Sequence, residues 1–252
     1  MYPPAFDFHA RLAPVPGALP RLIAALDASG IDRALVAAGG TIALDRLARQ
    51  LVEGGGVDTQ PDNDAVLAAC HESGGRLVPC YFANPYRPAG WYRKRATDFR
   101  ALEISPAVHG VALADERVDE LVAVAAEVGH PVYVVCLIRP GAGVADLVAL
   151  ARRYPDGVFV LGHSGTGNID FHAVDLIAGV PNILFETSGG YSSVLAEALR
   201  RLGRERLLFG TEYPLQHPDV ELAKYQAVPM STVDWEWIGR RNAYRVLNLE
   251  ES

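Results

Sequence analysis

Residues 6–12 read Phe-Asp-Phe-His-Ala-Arg-Leu, an unbroken alternation of apolar and polar side chains. Side chains on a strand point to opposite faces in turn, so Asp7, His9 and Arg11 share one face and Phe6, Phe8 and Ala10 the other. The aromatic face suits packing under helices, and the polar face then points into the interior of the sheet. Burying a charge there without a partner costs several kcal/mol. The plain structural reading is an internal Asp7–Arg11 ion pair; the functional reading is that other strands, or a ligand, supply the partners. Two more runs repeat the theme. FVLGHSG (159–165) and LLFGTEYP (207–214) place His163 and Glu212 just past apolar strands. Parallel sheets carry their sites at the carboxyl ends of the strands, where two histidines and a carboxylate make a metal site or an acid–base site.

Working outward, short β-branched or aromatic runs alternate with helical patterns. Strands are expected at Ala5–Leu12, Arg33–Ala38, Leu77–Ala83, Leu102–Pro106, Val132–Leu137, Val158–Gly162, Asn182–Thr187 and Arg206–Gly210. Between them, PGALPRLIAALDASG, DNDAVLAACHESG, ERVDELVAVAAEVG and GVADLVALARRYP carry apolar residues at helical spacing. Gly30, Gly74, Gly129 and Gly203 fall where helices end. Spread over eight units, 252 residues give about 31 each. That period predicts a parallel α/β sheet closed as a single (β/α)8 TIM barrel, one domain over 1–252. No glycine-rich dinucleotide fingerprint follows the first strand, which argues against an open doubly wound sheet. The regularity breaks near 41–60, where LDRLARQLVEGGG is inserted. The insert reads as an embellished loop, with a lid or an oligomer contact, as in a homodimer, as the alternatives. The tail TVDWEWIGRRNAYRVLNL is an amphipathic helix that closes the barrel.

Composition narrows the function further. The net charge of −7 disfavours a nucleic-acid surface, which needs a concentrated positive field. The basic cluster Arg93-Lys94-Arg95, with Arg87 and Arg100, reads as a solvated face. No run approaches the ~18 apolar residues of a membrane span, and the N-terminal sequence lacks a secretory pattern. Cys70, Cys80 and Cys136 are odd in number and widely spaced, which fits a reducing cytoplasm and no disulfide framework. The expected partner is a small-molecule substrate, with neither nucleic acid nor membrane.

Other strand ends add candidates. ALEISP offers Glu103 and Ser105; FETSGG offers Glu186, Thr187 and Ser188; Thr211 precedes Glu212. One of these carboxylates is expected to pair with Arg11, and Glu186 could face either the interior or the helix layer. His71, His130 and His172 fall on helices or their ends. His109 and His217 lie in loops past strands and are second-rank candidates. Cys136 reads as a buried structural thiol, since no histidine adjoins it in sequence to lower its pKa.

The D-x-H of the first strand, the GH that ends the sixth, FGTEYP at the eighth, GHPVYVV, NILFETSG and the tail RNAYRVL together resemble the amidohydrolase superfamily. The resemblance is closest to its amidohydrolase-related branch of aminocarboxymuconate semialdehyde decarboxylases and pyrone dicarboxylate lactonases, and it covers nearly the whole chain. It implies a barrel enzyme with its site at the strand ends. The departures are specific. The family's H-x-H is His9-Ala10-Arg11 here, Val135 stands where a strand-5 histidine is usual, and Glu212 replaces an aspartate. A catalytic zinc takes three protein ligands, which His9, His163 and Glu212 could supply with Cys136 as a remote fourth. Arg11 would put a fixed cation beside that metal. The expectation is therefore a site without a cofactor, or at most one divalent metal, Zn or Mn. Hydrolysis of an amide, lactone or related acyl bond in a small polar or acidic metabolite is the leading function. In it Arg11 polarises the carbonyl, Glu212 is the general base, and His9 and His163 stabilise the reacting group. Asp7, Glu103, Ser105, His109, Cys136 and Ser188 are expected around the substrate. A decarboxylase of the same family and a barrel that only binds are the alternatives.

Overall fold

The computed structural model describes residues 4–250, so the first three and last two residues of the expected domain lie outside the described residues. Eight strands, β1 (Ala5–Leu12), β2 (Ile31–Ala38), β3 (Leu77–Phe82), β4 (Ala101–Ile104), β5 (Val132–Val134), β6 (Phe159–Leu161), β7 (Ile183–Glu186) and β8 (Leu207–Leu208), pair in chain order. All seven ladders are parallel. Backbone bonds close the seam between β8 and β1. Phe8 N donates to Phe209 O (2.8 Å), Glu212 N to His9 O (2.8 Å) and Arg11 N to Tyr213 O (2.7 Å). Two of these three bonds involve a candidate site residue, so barrel closure and site geometry are one event.

The helices lie between the strands, as the spacing predicts. α1 is Ala18–Ala28, α2 is Leu44–Glu53 and α3 is Asn63–Glu72, and further long helices cover Glu116–Val128, Val144–Arg153 and Ser192–Leu202. Asp62 caps α3 by accepting from Ala65 N, and Asp115 caps the helix that follows it by accepting from Arg117 N. Phe6 and Phe8 are buried on the outer face of β1, and Phe6 meets Tyr244 of the tail edge to face.

Six strands, β3 to β8, are shorter than expected, β5 and β8 by the most. After Val134 the chain turns into a loop in which Leu137 N donates to Ala142 O. β8 keeps two ladder residues because Phe209 N bonds Ile238 O of the tail instead. The tail is helical as expected but contains a π turn at Trp237–Arg241. That turn takes carbonyls out of the regular helix ladder, and Ile238 O is thereby available to Phe209. No helix among the described residues is long and apolar enough to cross a membrane.

Candidate active site

β1 carries its polar residues inward, but they do not pair with each other. Asp7 accepts from Thr211 N (2.9 Å), Thr211 Oγ1 (2.5 Å) and His9 N (3.0 Å). It ties β1 to the loop after β8, and burial pushes its pKa up to about 7. Arg11 instead meets Glu103 of β4 at 2.8 Å and Glu212 at 3.3 Å. Burial alone would raise the Glu103 carboxyl, but Arg11 and then His9 outweigh it and hold it at about 2. The expected carboxylate partner of Arg11 is thus found twice over.

His9 is buried flat against Tyr133 of β5, ring centroids 4.2 Å apart and interplanar angle 1°. Its Nε2 lies 3.4 Å from Glu103 Oε2. A carboxylate only accepts, so Nε2 carries the hydrogen and Nδ1 keeps the lone pair. That Nδ1 has no hydrogen-bond partner among the described residues. Burial and then the Arg11 guanidinium lower the His9 pKa, which leaves the ring neutral.

His163 and Glu212 both stand on strained backbone, with φ of 55° and 56°. Non-glycine residues hold that left-handed region at a cost of about 1–3 kcal/mol, commonly where function needs it. His163 Nδ1 lies 2.5 Å from Glu212 Oε2 and 2.9 Å from Ser188 Oγ. Burial opposes charge on His163, yet Glu212 outweighs it and raises the imidazole above its usual value. Burial would likewise raise Glu212, but His163 and Arg11 hold it far below the carboxylate range.

Under this pair lies a support that the sequence reading left open. Glu186 of β7 faces the interior, fully buried, and accepts from Tyr133 Oη (2.7 Å), His163 N (3.0 Å) and both N (2.6 Å) and Oγ (2.9 Å) of Ser188. Two glycines signal it. A Cβ on Gly162 would strike the Tyr133 ring and hydroxyl, and one on Gly210 the Glu186 carboxylate. Tyr133 has no part in the sequence reading, although it shares the inward parity of Val135.

A cavity of about 530 Å³ opens over this floor, lined at one end by Arg11, Ser105, His163 and Glu212 and elsewhere mainly by apolar side chains. The other expected substrate contacts stand away from its lining. His109 is buried on a helical turn at Pro106–His109, its Nε2 3.3 Å from Thr59 O. Cys136 is buried, which pushes its thiol pKa far up, and Ser188 sits behind His163. His217 caps the helix Pro218–Gln226.

His9, His163 and Glu212 each offer a ligand atom, all within 4.8 Å of one another. The donor set fits a divalent cation: a neutral imidazole with an orphaned nitrogen, a second imidazole and a carboxylate held ionised. Counted with both histidines neutral, Arg11, Glu103 and Glu212 leave one net negative charge for such an ion.

The fold is shared widely. A manganese-bound 5-carboxyvanillate decarboxylase of Novosphingobium aromaticivorans, complexed with 4-hydroxy-3-methoxy-5-nitrobenzoic acid, superposes with TM-score 0.74 at 18% identity, covering 98% of this chain and 96% of that one. A dihydroxybenzoic acid decarboxylase of Polaromonas sp. JS666 with manganese and 2-nitroresorcinol gives 0.73 at 15%, covering 99% and 98%. A candidate 2-pyrone-4,6-dicarboxylic acid hydrolase of Pseudomonas putida gives 0.74 at 15%, covering 100% of both. Comparison with curated protein sequences gives no match.

The expectation of a site without a cofactor is corrected. Similar structures hold manganese, and the His9–His163–Glu212 group points to a divalent metal. The objection drawn from Arg11 fails because Glu103 and Glu212 neutralise its charge where it stands. The family model for amidohydrolases matches residues 7–249. Over almost its whole length, from the Asp7 of the first strand to the end of the tail helix, this chain belongs to the amidohydrolase family.

Proposed function

We propose that the protein is a metal-dependent decarboxylase of a small carboxylic acid. The cavity carries this reading: one wall bears Arg11 beside the His163–Glu212 pair, and the rest is mainly apolar. Moving a carboxylate out of water raises its energy, and departure of CO2 removes the charge that an apolar wall disfavours. His9, His163 and Glu212 would hold a divalent ion, which would supply Lewis-acid polarisation of the substrate oxygens. Arg11, the one Lys or Arg side chain of the lining, is committed to Glu103, Glu212 and Ala38 O, and its remaining Nη2–H orients the carboxylate through a single hydrogen bond. The carbon left behind takes up one proton. Glu212 stays ionised between His163 and Arg11, so that proton is drawn from solvent water and not from this carboxylate. Tyr133 and Glu186 keep His163 in place and have no call to touch substrate.

The decarboxylases among the similar structures support this class over hydrolysis. Hydrolysis keeps one observation in its favour: Glu212, held by His163 and Arg11, is also a base suited to activating water. Product analysis separates the two. The manganese-loaded protein is incubated with hydroxylated benzoates and with carboxylated lactones. The proposal expects CO2 from the benzoates, with Arg11→Ala lowering kcat/KM by about a hundredfold or more. Ring-opened acid from the lactones without CO2 would assign hydrolysis instead.

A further inference from the structure

Residues 41–53, the first part of the insert at 41–60, are unused by the metal group and by Arg11, yet they form one side of the cavity. Leu44, Leu47 and Leu51 of α2 recur at i, i+3 and i+7, and all three line it. Leu44 remains 60% exposed and Leu51 46%, an apolar surface with no covering from this chain's described residues. The helix is fixed in place. Buried Gln50 donates from Nε2 to Ala107 O (2.6 Å) and Val108 O (2.9 Å), and Arg139 Nη2 donates to Gln50 O (2.8 Å).

Thr41, at the head of the insert, lines the same cavity and is only 8% exposed. Its Oγ1 has no hydrogen-bond partner among the described residues. A buried hydroxyl left unpaired costs about 1–3 kcal/mol, and a ligand acceptor would remove that cost. Charge limits the ligand as well. Arg11 is the only Lys or Arg of the lining and already serves Glu103 and Glu212, so a second carboxylate on the ligand would face an apolar wall.

We infer that this 41–53 segment is the specificity element of the site, selecting monoanionic acids with an apolar body of ring size that carry a hydrogen-bond acceptor for Thr41. This rests on the reading of the Arg11 end as carboxylate-binding, so metal content is measured on the same samples. The test is calorimetric binding of acetate, benzoate, isophthalate and 3- and 4-acetylbenzoate to the full chain, with and without manganese. Benzoate should bind at least about tenfold tighter than acetate or isophthalate. The double variant Leu44→Gln/Leu51→Gln, altered only at exposed positions, should weaken benzoate by about tenfold and leave acetate unchanged. Thr41→Val should weaken the better acetylbenzoate by about fivefold but not benzoate, and Thr41→Ser should retain it.

Isophthalate binding as tightly as benzoate, no benzoate binding to folded protein, or indifference to these variants would overturn the inference. Discrimination with no manganese bound would uphold it and remove the metal reading. Manganese bound without discrimination would do the reverse.

Discussion

Glu103 sets the charge balance of the site, since it meets both Arg11 (2.8 Å) and His9 (3.4 Å) while fully buried. Its folded pKa of about 2 lies below the ordinary 4.5, so its contribution to stability is complete above about 4.5 and fades as pH falls toward 2. Glu103→Gln should cost on the order of 3 kcal/mol at neutral pH and flatten the acid limb of the stability curve, read by urea unfolding across pH. An unchanged acid limb would refute the pairing. At this scale much of the site was legible. His9, Arg11, His163 and Glu212 announce themselves as polar residues at the ends of apolar runs, and the structure brings them together. Asp7 was legible as an inward group but not its partner, because Thr211 lies 204 residues away in sequence. Thr41 sits in a loop without periodicity, and nothing in its neighbours marks its hydroxyl as buried.

Short strands carry the site, and their brevity explains what the sequence left ambiguous. β7 has four residues and β5 three, too few for alternation to settle which face Glu186 or Tyr133 takes. Steric exclusion settles it in the structure, because Gly162 and Gly210 leave room that a Cβ would fill. Gly210→Ala should therefore displace the Glu186 carboxylate, loosen His163 and cost about 1–3 kcal/mol. Thermal unfolding reads the cost, and a variant as stable as the parent would contradict the close packing. The insert behaves differently again. Its sequence reads as an embellished loop, whereas Leu44–Glu53 form α2, and the apolar face of that helix lines the cavity.

Across the whole molecule, the barrel closes where β8 and the loop after it meet β1 and the tail helix. Asn242 holds this closure through Nδ2, which donates to Arg204 O and Leu207 O, both at 2.7 Å. Asn242→Ala leaves those carbonyls without their donor and should cost about 1–3 kcal/mol, seen as a lowered Tm. No loss would mean that the tail merely rests on the barrel. The eight-unit period and the amphipathic tail made this architecture readable, because helix and strand patterns agree along the chain. The choice between no cofactor and one divalent metal went the wrong way in sequence. An arginine two residues from a candidate ligand histidine looks repulsive there, and only the fold shows Glu103 and Glu212 beside it.

Elemental analysis of the full chain, purified after growth with added manganese, tests the metal group directly. The parent should hold about one equivalent of divalent metal, and His163→Ala, folded by circular dichroism, less than about a tenth of that. No bound metal in the parent, or equal metal in parent and variant, would contradict a centre built from His9, His163 and Glu212.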